Sequence, residues 1–200
     1  MGRKYAIYGG SFDPVHIGHV KLADSAVREC GLDKLIFMPA HVSPFKQDRK
    51  VSDGADRCGM IEAVLGYNKA FRLSRYEIVK EGPSYTIETL RHWKKLLGGK
   101  LYFVLGFDSV VQVDTWYQGE EILREYGLIS AIRNDTDINK GLRRIELFRE
   151  KYDADITMMD MPPVDASSTE VRNRVAAGIP LDGLVLPEVE KYIRDHGLYR

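Results

Sequence analysis

Residues 5–19 of this 200-residue chain read Tyr5-Ala6-Ile7-Tyr8-Gly9-Gly10-Ser11-Phe12-Asp13-Pro14-Val15-His16-Ile17-Gly18-His19. The segment begins with a short apolar run, which is typical of a strand buried on both faces. Two glycines end that run, and apolar residues at helical spacing begin at Ile17. A strand, a glycine turn and a helix in this order indicate a doubly wound α/β protein, in which ligands bind beyond the carboxyl ends of the strands.

Further apolar runs follow along the chain and alternate with segments of helical spacing. The runs cover residues 35–38, 102–105, 128–132 and 156–159, and helical patterns lie near residues 17–27, 60–65, 90–97 and 142–152. This alternation predicts a Rossmann-like, mostly parallel sheet flanked by helices, because parallel strands need helical crossovers. Residues 1–200 are expected to form one domain, with a small helical C-terminal part from about 165 to 200.

The composition narrows the class of protein. Lysine and arginine together number 29, as do aspartate and glutamate. This balance argues against broad binding to nucleic acid or to a membrane surface. No run of about 18 apolar residues occurs, and the apolar run near the start is too short for a signal-peptide core. We therefore expect a cytoplasmic protein.

The glycine turn and the two histidines indicate phosphate binding. Gly9 and Gly10 let a phosphate approach the backbone, and the N–H groups at a helix start attract anions. His16 and His19 are three residues apart, so they lie on one face of a helix and could together neutralise phosphate charge. A turn would explain the glycines and a helix cap would explain a histidine, but the occurrence of all these features together favours phosphate binding. The Gly-x-Gly-x-x-Gly and Walker lysine patterns do not occur, which removes the main support for hydride transfer and P-loop hydrolysis.

Four later segments contain further candidate residues. Lys46 lies in a polar loop after the second run, and Ser84-Tyr85-Thr86 opens a helical pattern, where a Ser or Thr cap would suffice as an explanation. Asp108 follows the run at 102–105, and Trp116-Tyr117 has polar neighbours that suggest a rim. Residues 167–172, Ser-Ser-Thr-Glu-Val-Arg, have capping-box spacing and could present amides, hydroxyls and a guanidinium to phosphate.

Residues 10–19 resemble the signature of the nucleotidyltransferase superfamily whose hallmark is His-x-Gly-His. From Tyr5 to about Leu198 the chain is similar to the bacterial nicotinate-nucleotide adenylyltransferases. Phe45 and Phe107 depart from the pattern of that family, which often has histidine and alanine there. The resemblance implies that the chain transfers the adenylyl group of ATP to nicotinate mononucleotide in NAD biosynthesis. The products would be deamido-NAD and pyrophosphate.

The resemblance also implies roles for individual residues. The catalytic residues would be His16, His19, Lys46 and Arg172. The residues expected at ATP are Gly9, Gly10, Ser11, Phe12, His16, His19, Asp108, Ser167, Ser168, Thr169 and Arg172. Those expected at nicotinate mononucleotide are Lys46, Tyr85, Thr86, Asp108, Trp116 and Tyr117. Mg²⁺ is expected to be held mainly by the ATP phosphates, and no residue is assigned as a metal ligand.

The expected chemistry is direct in-line displacement at the α-phosphorus, because the attacking phosphate is already an anion and needs no general base. Two alternatives stay open. One is another nucleotidyltransferase of the same fold, such as phosphopantetheine adenylyltransferase, and the other is a nucleotide sensor without catalysis. The sequence also leaves open whether the acceptor is the acid or the amide mononucleotide, and whether the chain forms a homo-oligomer.

Overall fold

The computed structural model describes residues 2–41, 51–80, 82–132, 138–162 and 164–200. Within these ranges six strands are formed: β1 (Lys4–Gly10), β2 (Lys34–Pro39), β3 (Phe71–Leu73), β4 (Lys100–Val104), β5 (Gly127–Ala131) and β6 (Ile156–Met159). They make one sheet in the order β3-β2-β1-β4-β5-β6, and every neighbouring pair is parallel. The predicted doubly wound, Rossmann-like sheet is therefore confirmed.

Helices join the strands and complete the C-terminal part. In the described residues they are α1 (Ile17–Cys30), α2 (Gly54–Val64), α3 (Tyr76–Val79), α4 (Thr86–Leu97), α5 (Phe107–Val110), α6 (Gly119–Glu125), α7 (Ile138–Tyr152), α8 (Ser168–Ala176) and α9 (Pro187–Asp195). Two 3₁₀ turns cover Leu65–Tyr67 and Val113–Thr115. No helix in this part of the chain is both long enough and apolar enough to cross a bilayer.

β1 lies in the middle of the sheet, and its side chains enter two separate cores. Ala6 and Tyr8 pack on one face, with buried residues of α1, α2, α8 and α9. Tyr5 and Ile7 pack on the other face, with buried residues of α4, α5, α6 and α7. Burial on both faces explains why the strand reads as a continuous apolar run rather than as an alternating one.

The edge strand β3 was not predicted from the sequence. It has only three residues, and Arg72 in its middle is exposed while Phe71 is buried. A run this short carries no usable periodicity, so pairing with β2 decides its structure. Because β3 lies at the edge, the order of the five predicted strands is unaffected.

The C-terminal helices belong to the core on the first face. Val171 of α8 and Val189 of α9 are fully buried there. α9 lies along α2, where Gly59 has no Cβ and so leaves room for the Tyr192 ring. The Tyr192 hydroxyl donates to Asp56 Oδ1 at 3.3 Å. The end of the chain is thus packed beside the helix that follows β2.

Candidate active site

A cavity of about 470 Å³ opens at the carboxyl ends of β1, β4 and β5. Between the neighbouring strands β1 and β4 the strand order changes direction, and in doubly wound sheets this leaves a crevice where ligands bind. His16 and His19 lie on one side of the cavity. Ile132, Met161 and Val164, from the segments after β5 and β6, supply an apolar wall that the sequence analysis did not identify.

His16 and His19 face each other at the start of α1. His16 is the N-cap residue, and its Nδ1 accepts a hydrogen bond from the Gly18 N–H at 3.1 Å. Nδ1 of His19 accepts one from the His16 backbone N–H at 3.2 Å, and the two ring centroids are 3.7 Å apart. Because each Nδ1 offers its lone pair to a backbone donor, the hydrogen of each neutral ring is on Nε2. The pair thus places two ring N–H donors beside the cavity.

Two glycines beside the cavity leave room for rings that pack against them, His16 at Gly18 and Phe103 at Gly9. A Cβ on Gly18 would lie 2.9 Å from Cε1 and 3.0 Å from Nδ1 of His16, so any side chain there displaces the ring. A Cβ on Gly9 would lie 2.6 Å from the Phe103 ring. Gly9 is therefore required by the packing of Phe103, in addition to any room that it leaves for a phosphate.

Phe12 supports His19 rather than presenting its own side chain to a ligand. Its side chain is 1% exposed, and its ring meets the His19 ring edge to face with the centroids 5.1 Å apart. Its φ of +48° lies in the left-handed region, which bulky residues rarely adopt. Surrounding contacts must therefore hold the loop, and a ligand could contact only the Phe12 backbone.

Arg57, which was not predicted from the sequence, is one residue that holds this loop. Its Nη1 donates to the carbonyl oxygens of Ser11 at 2.9 Å and Ala40 at 2.8 Å, and its Nε donates to that of Ser52 at 3.0 Å. Burial lowers the pKa of Arg57, and the nearby Asp13 opposes this effect. The guanidinium thus joins the loops that follow β1 and β2. A helical arginine carries no sequence signal for such a role, because its partners are backbone carbonyls.

The N-terminus of α8 contacts the same loop from another side. The Ser168 hydroxyl donates to the Pro14 carbonyl oxygen at 2.9 Å, and Arg172 Nη1 donates to that of Asp13. Arg172 Nη2 also donates to the Thr169 hydroxyl at 2.9 Å. Two residues that the sequence analysis assigned to ATP, Ser168 and Arg172, are thereby brought to the loop that contains the histidines.

Only one of the two hydrogen bonds of the predicted capping box is formed at the start of α8. Ser167 is the N-cap residue, and its hydroxyl accepts from the Glu170 backbone N–H at 3.1 Å. Glu170 Oε1 accepts instead from Arg174 Nε at 2.6 Å. The N–H groups of the first turn are still directed along the helix axis, as at any helix start that binds anions.

The residues expected at the pyridine ring form a second group. The Tyr85 and Tyr117 ring centroids are 4.7 Å apart, and Trp116 meets Phe103 edge to face at 6.4 Å. Tyr85 and Trp116 pack against the core of the second face, whereas the His19 ring contacts Tyr8 and Phe12 of the first. Phe103 contacts Trp116, and its ring also fills the space beside Gly9. The structure pairs Tyr85 with Tyr117, and none of the three predicted pyridine residues lines the cavity that His16 and His19 line.

The turn before α4 is held by a buried carboxyl group rather than by a helix cap. Tyr85 is the N-cap of α4 without a side-chain cap, so a Ser or Thr cap is absent at this described turn. Ser84 Oγ accepts from the His41 backbone N–H at 3.3 Å. Glu77, 7% exposed, accepts from Thr89 Oγ1 at 2.5 Å and also hydrogen-bonds Ser84. Burial raises the pKa of Glu77. Glu77, which could not be identified from the sequence, thus joins Ser84 before α4 to Thr89 within it, on either side of Thr86.

Asp108 is the assigned residue, among those that the structure describes, that contacts neither the histidines nor the aromatic residues in any bond given above. Asp108 is exposed in α5 and does not line the cavity, although Gly106 and Phe107 do. Lys46 and Phe45 lie outside the described residues. The roles of Asp108 and Lys46 stay predictions.

The donors around the cavity suit an anion. They are the imidazole N–H groups of His16 and His19 and the backbone N–H groups at the start of α1, which are suited to phosphate oxygens. Asp165 also lines the cavity, whereas the Arg172 guanidinium lies at the loop before α1 and not in the lining. In the described ranges no group of three or more His, Cys, Asp and Glu side chains is placed to hold a metal ion.

A parallel sheet with a phosphate-binding helix start at its switch point defines a nucleotide-binding α/β protein. Comparison with known proteins agrees with this class and shows the family to which the chain belongs. A family model described as cytidylyltransferase-like matches residues 7–174. The chain belongs to this cytidylyltransferase-like family.

Individual relatives match over their full length. A Thermoanaerobacter protein described as a probable nicotinate-nucleotide adenylyltransferase is 37% identical over 98% of this chain and 94% of its own. A protein of the same description from Caldicellulosiruptor bescii is 36% identical over 98% of this chain and 99% of its own. The structure of Plasmodium falciparum nicotinic acid mononucleotide adenylyltransferase complexed with APC has a TM-score of 0.80 at 19% identity. The match covers 98% of this chain and 97% of the Plasmodium chain, so the two proteins share the same fold.

Proposed function

We propose that the chain transfers the adenylyl group of ATP to nicotinate mononucleotide, forming deamido-NAD and pyrophosphate. The observation that carries nucleotidyl transfer is the His16–His19 pair, whose rings contact each other beside the switch-point cavity. The acceptor is supported by the full-length similarity to relatives described as probable nicotinate-nucleotide adenylyltransferases. The aromatic group of Tyr85, Trp116 and Tyr117 offers flat surfaces suited to a pyridine ring.

The reaction is a single displacement at the α-phosphorus of ATP. A phosphate oxygen of the mononucleotide forms the new bond to phosphorus, while the bond to the oxygen bridging the α- and β-phosphates breaks. The electron pair of that bond leaves with pyrophosphate. Because the attacking oxygen is already anionic, no general base is needed. The protein contributes positioning and charge neutralisation, which act where charge develops in the transition state.

Two sets of donors would act on the triphosphate. His16 and His19 would donate from Nε2 to phosphate oxygens at the reacting end, beside the backbone of residues 9–12. Ser167, Ser168, Thr169 and Arg172 would act at the β- and γ-phosphates through the start of α8. A guanidinium has five N–H donors, so the bonds of Arg172 to Asp13 and Thr169 leave capacity for phosphate.

Lys46 would add a further positive charge near the phosphates, and Asp108 would contact ribose and phosphate. The apolar wall of Ile132, Met161 and Val164 would receive the base of ATP. Mg²⁺ would arrive with ATP and neutralise charge on its phosphates, without a protein ligand that we can assign. Residues 1–200 would act as one unit, since α8 and α9 complete the core on the first face.

Pyrophosphate release tests this function directly. The protein is incubated with ATP under four conditions: with nicotinate mononucleotide, with nicotinamide mononucleotide, with phosphopantetheine, or without an acceptor. We expect the fastest release with nicotinate mononucleotide and a dinucleotide product of matching amount. Faster release with phosphopantetheine would replace the proposed acceptor. ATP binding without release under all four conditions would make the chain a sensor.

His19→Ala tests the proposed role of the histidine pair. We expect turnover to fall by at least about 10²-fold with a much smaller change in ATP affinity, because the donor acts mainly on transition-state charge. His196→Ala is the matched control, since that exposed ring stacks on Tyr192 and does not line the cavity. Turnover of His19→Ala equal to that of the control would exclude the role.

A further inference from the structure

The next-to-last residue of the chain contacts the loop that follows β1. The Tyr199 hydroxyl donates to Asp13 Oδ1 at 2.7 Å across 186 positions of sequence. Tyr199 has a φ of +63°, in the left-handed region that bulky residues rarely adopt. After α9 the chain reverses at Gly197, and the Leu198 N–H donates to the Ile193 carbonyl oxygen at 3.0 Å. The terminal turn is thus folded back so that Tyr199 reaches Asp13.

Asp13 is 4% exposed, and its buried carboxyl group interacts with the charge of Arg57 in addition to accepting the Tyr199 bond. A buried carboxyl group that lost its hydrogen bond would be strongly destabilising. The rest of the loop is held through its backbone, by Arg57 at the Ser11 carbonyl and by Arg172 at the Asp13 carbonyl. Tyr199 instead holds a side chain of the loop, one residue after Phe12 with its left-handed backbone and three residues before His16.

We propose that Tyr199 is a positioning residue for the reaction proposed above: by holding Asp13 it fixes the loop that places His16 and His19. Tyr199 does not line the cavity, so its effect passes through Asp13. This inference rests on the proposed function, since it concerns the turnover of that reaction.

The chemistry of the phenol suits a permanent hydrogen-bond donor. Burial raises the pKa of Tyr199, a hydrogen bond with the Ser52 side chain lowers it in part, and the hydrogen bond to Asp13 raises it again. The hydroxyl therefore keeps its proton throughout the range in which the enzyme would work. Met60 Sδ of α2 lies 3.8 Å from the same hydroxyl oxygen, so α2 also contacts the phenol.

Tyr199→Phe removes the hydroxyl and little else, and the chain offers a matched control. Tyr192→Phe also removes a tyrosine hydroxyl bonded to an aspartate, Asp56, but that aspartate belongs to α2 and not to the loop. We expect kcat to fall about tenfold or more in Tyr199→Phe, with the KM for nicotinate mononucleotide unchanged, because small displacements of catalytic groups are costly. In Tyr192→Phe kcat should stay within about twofold of wild type, as for a substitution away from the site.

Variants of Asp13 test the same bond from its other end. Asp13→Ala removes the acceptor and should reproduce the kcat loss, whereas Asp13→Asn keeps an acceptor oxygen and should restore part of it. In the Asp13→Ala background, Tyr199→Phe should have little further effect, because the bond is already absent. If Tyr199→Phe does not fold, kcat of Asp13→Ala and Asp13→Asn still tests the bond, and an Asp13→Ala variant with the kcat of wild type would refute the positioning role.

Each outcome separates the two proposals. A wild-type protein that releases no pyrophosphate with any acceptor refutes the proposed function, and this inference with it. An active wild type whose Tyr199→Phe variant has the same kcat as Tyr192→Phe refutes the positioning role alone. Additive losses in the Asp13→Ala and Tyr199→Phe double variant would also overturn it.

Discussion

Gly18→Ala should separate catalysis from stability, because the glycine is required by the His16 ring and not by the helix. The new Cβ would lie 2.9 Å from Cε1 of His16. Carbon atoms pack best at about 3.5–4.0 Å, so the ring must move by roughly 0.6 Å or more. That movement acts on the ring that we place at the phosphates, and it lengthens the 3.1 Å bond from the Gly18 N–H to His16 Nδ1.

The expected effects on stability nearly cancel. Loss of the cap would cost about 1 kcal/mol. Alanine in place of glycine in a helix would return up to about 1 kcal/mol. For a chain of this length 1 kcal/mol changes Tm by about 2–4 °C, so the Tm of Gly18→Ala should stay within that interval of wild type. Turnover should nevertheless fall by about 10- to 100-fold, since a displacement near 1 Å can cost about 10²-fold.

The assay compares kcat for pyrophosphate release with Tm in the same preparations. Gly66→Ala is the control, because Gly66 is exposed in a 3₁₀ turn and a Cβ there meets nothing within 4 Å. It should match wild type in both measurements. A Gly18→Ala protein with wild-type kcat and wild-type Tm would show that the placement of the His16 ring does not govern the reaction. A collapse of Tm would show that the glycine serves the fold.

Two further predictions concern the acceptor side. Burial raises the folded-state pKa of Glu77 above its ordinary value of 4.5, so the folded protein binds a proton more readily than the unfolded one. The free energy of unfolding of wild type, relative to that of Glu77→Gln, should therefore rise as pH falls from neutrality to about 5. Urea titrations of both proteins at several pH values measure this difference. A difference that stays constant with pH would contradict the prediction. Trp116→Ala should raise the KM for nicotinate mononucleotide by about tenfold and leave the KM for ATP unchanged, because a stacked ring contributes about 1 kcal/mol beyond its area. Trp116→Phe should keep most of the affinity, and equal changes in both KM values would exclude a pyridine-specific contact.

Most of the sheet could be predicted from the sequence because five strands are buried on both faces. Such strands appear as unbroken apolar runs, and Tyr5–Tyr8 at the centre is the clearest. β3 could not be predicted in this way, since one exposed arginine in three residues leaves no pattern. Its structure comes from pairing with β2, which is a tertiary interaction.

The site residues differ in the same way: some could be predicted from local contacts, and others depend on contacts between distant parts of the chain. His16 and His19 were predicted because the geometry that pairs them is local: a helix start brings positions three apart together. Arg57, Glu77 and Tyr199 were missed because each acts through partners that only the fold brings near. The bond from Tyr199 to Asp13 spans 186 positions, and that from Arg57 to Ser11 spans 46. The roles of Lys46 and Asp108 still rest on resemblance alone.

The bonds that hold the loop also determine its electrostatic character. Carbonyl oxygens carry partial negative charge and would repel a triphosphate if they faced it. In this loop the carbonyls of Ser11, Asp13 and Pro14 accept from Arg57, Arg172 and Ser168, so each oxygen is directed to a donor on α2 or α8. The start of α1 meanwhile presents backbone N–H groups and the two imidazoles beside the cavity. Because Arg57 and Arg172 engage the oxygens of the loop, removing either would both loosen the loop and release a carbonyl that opposes phosphate.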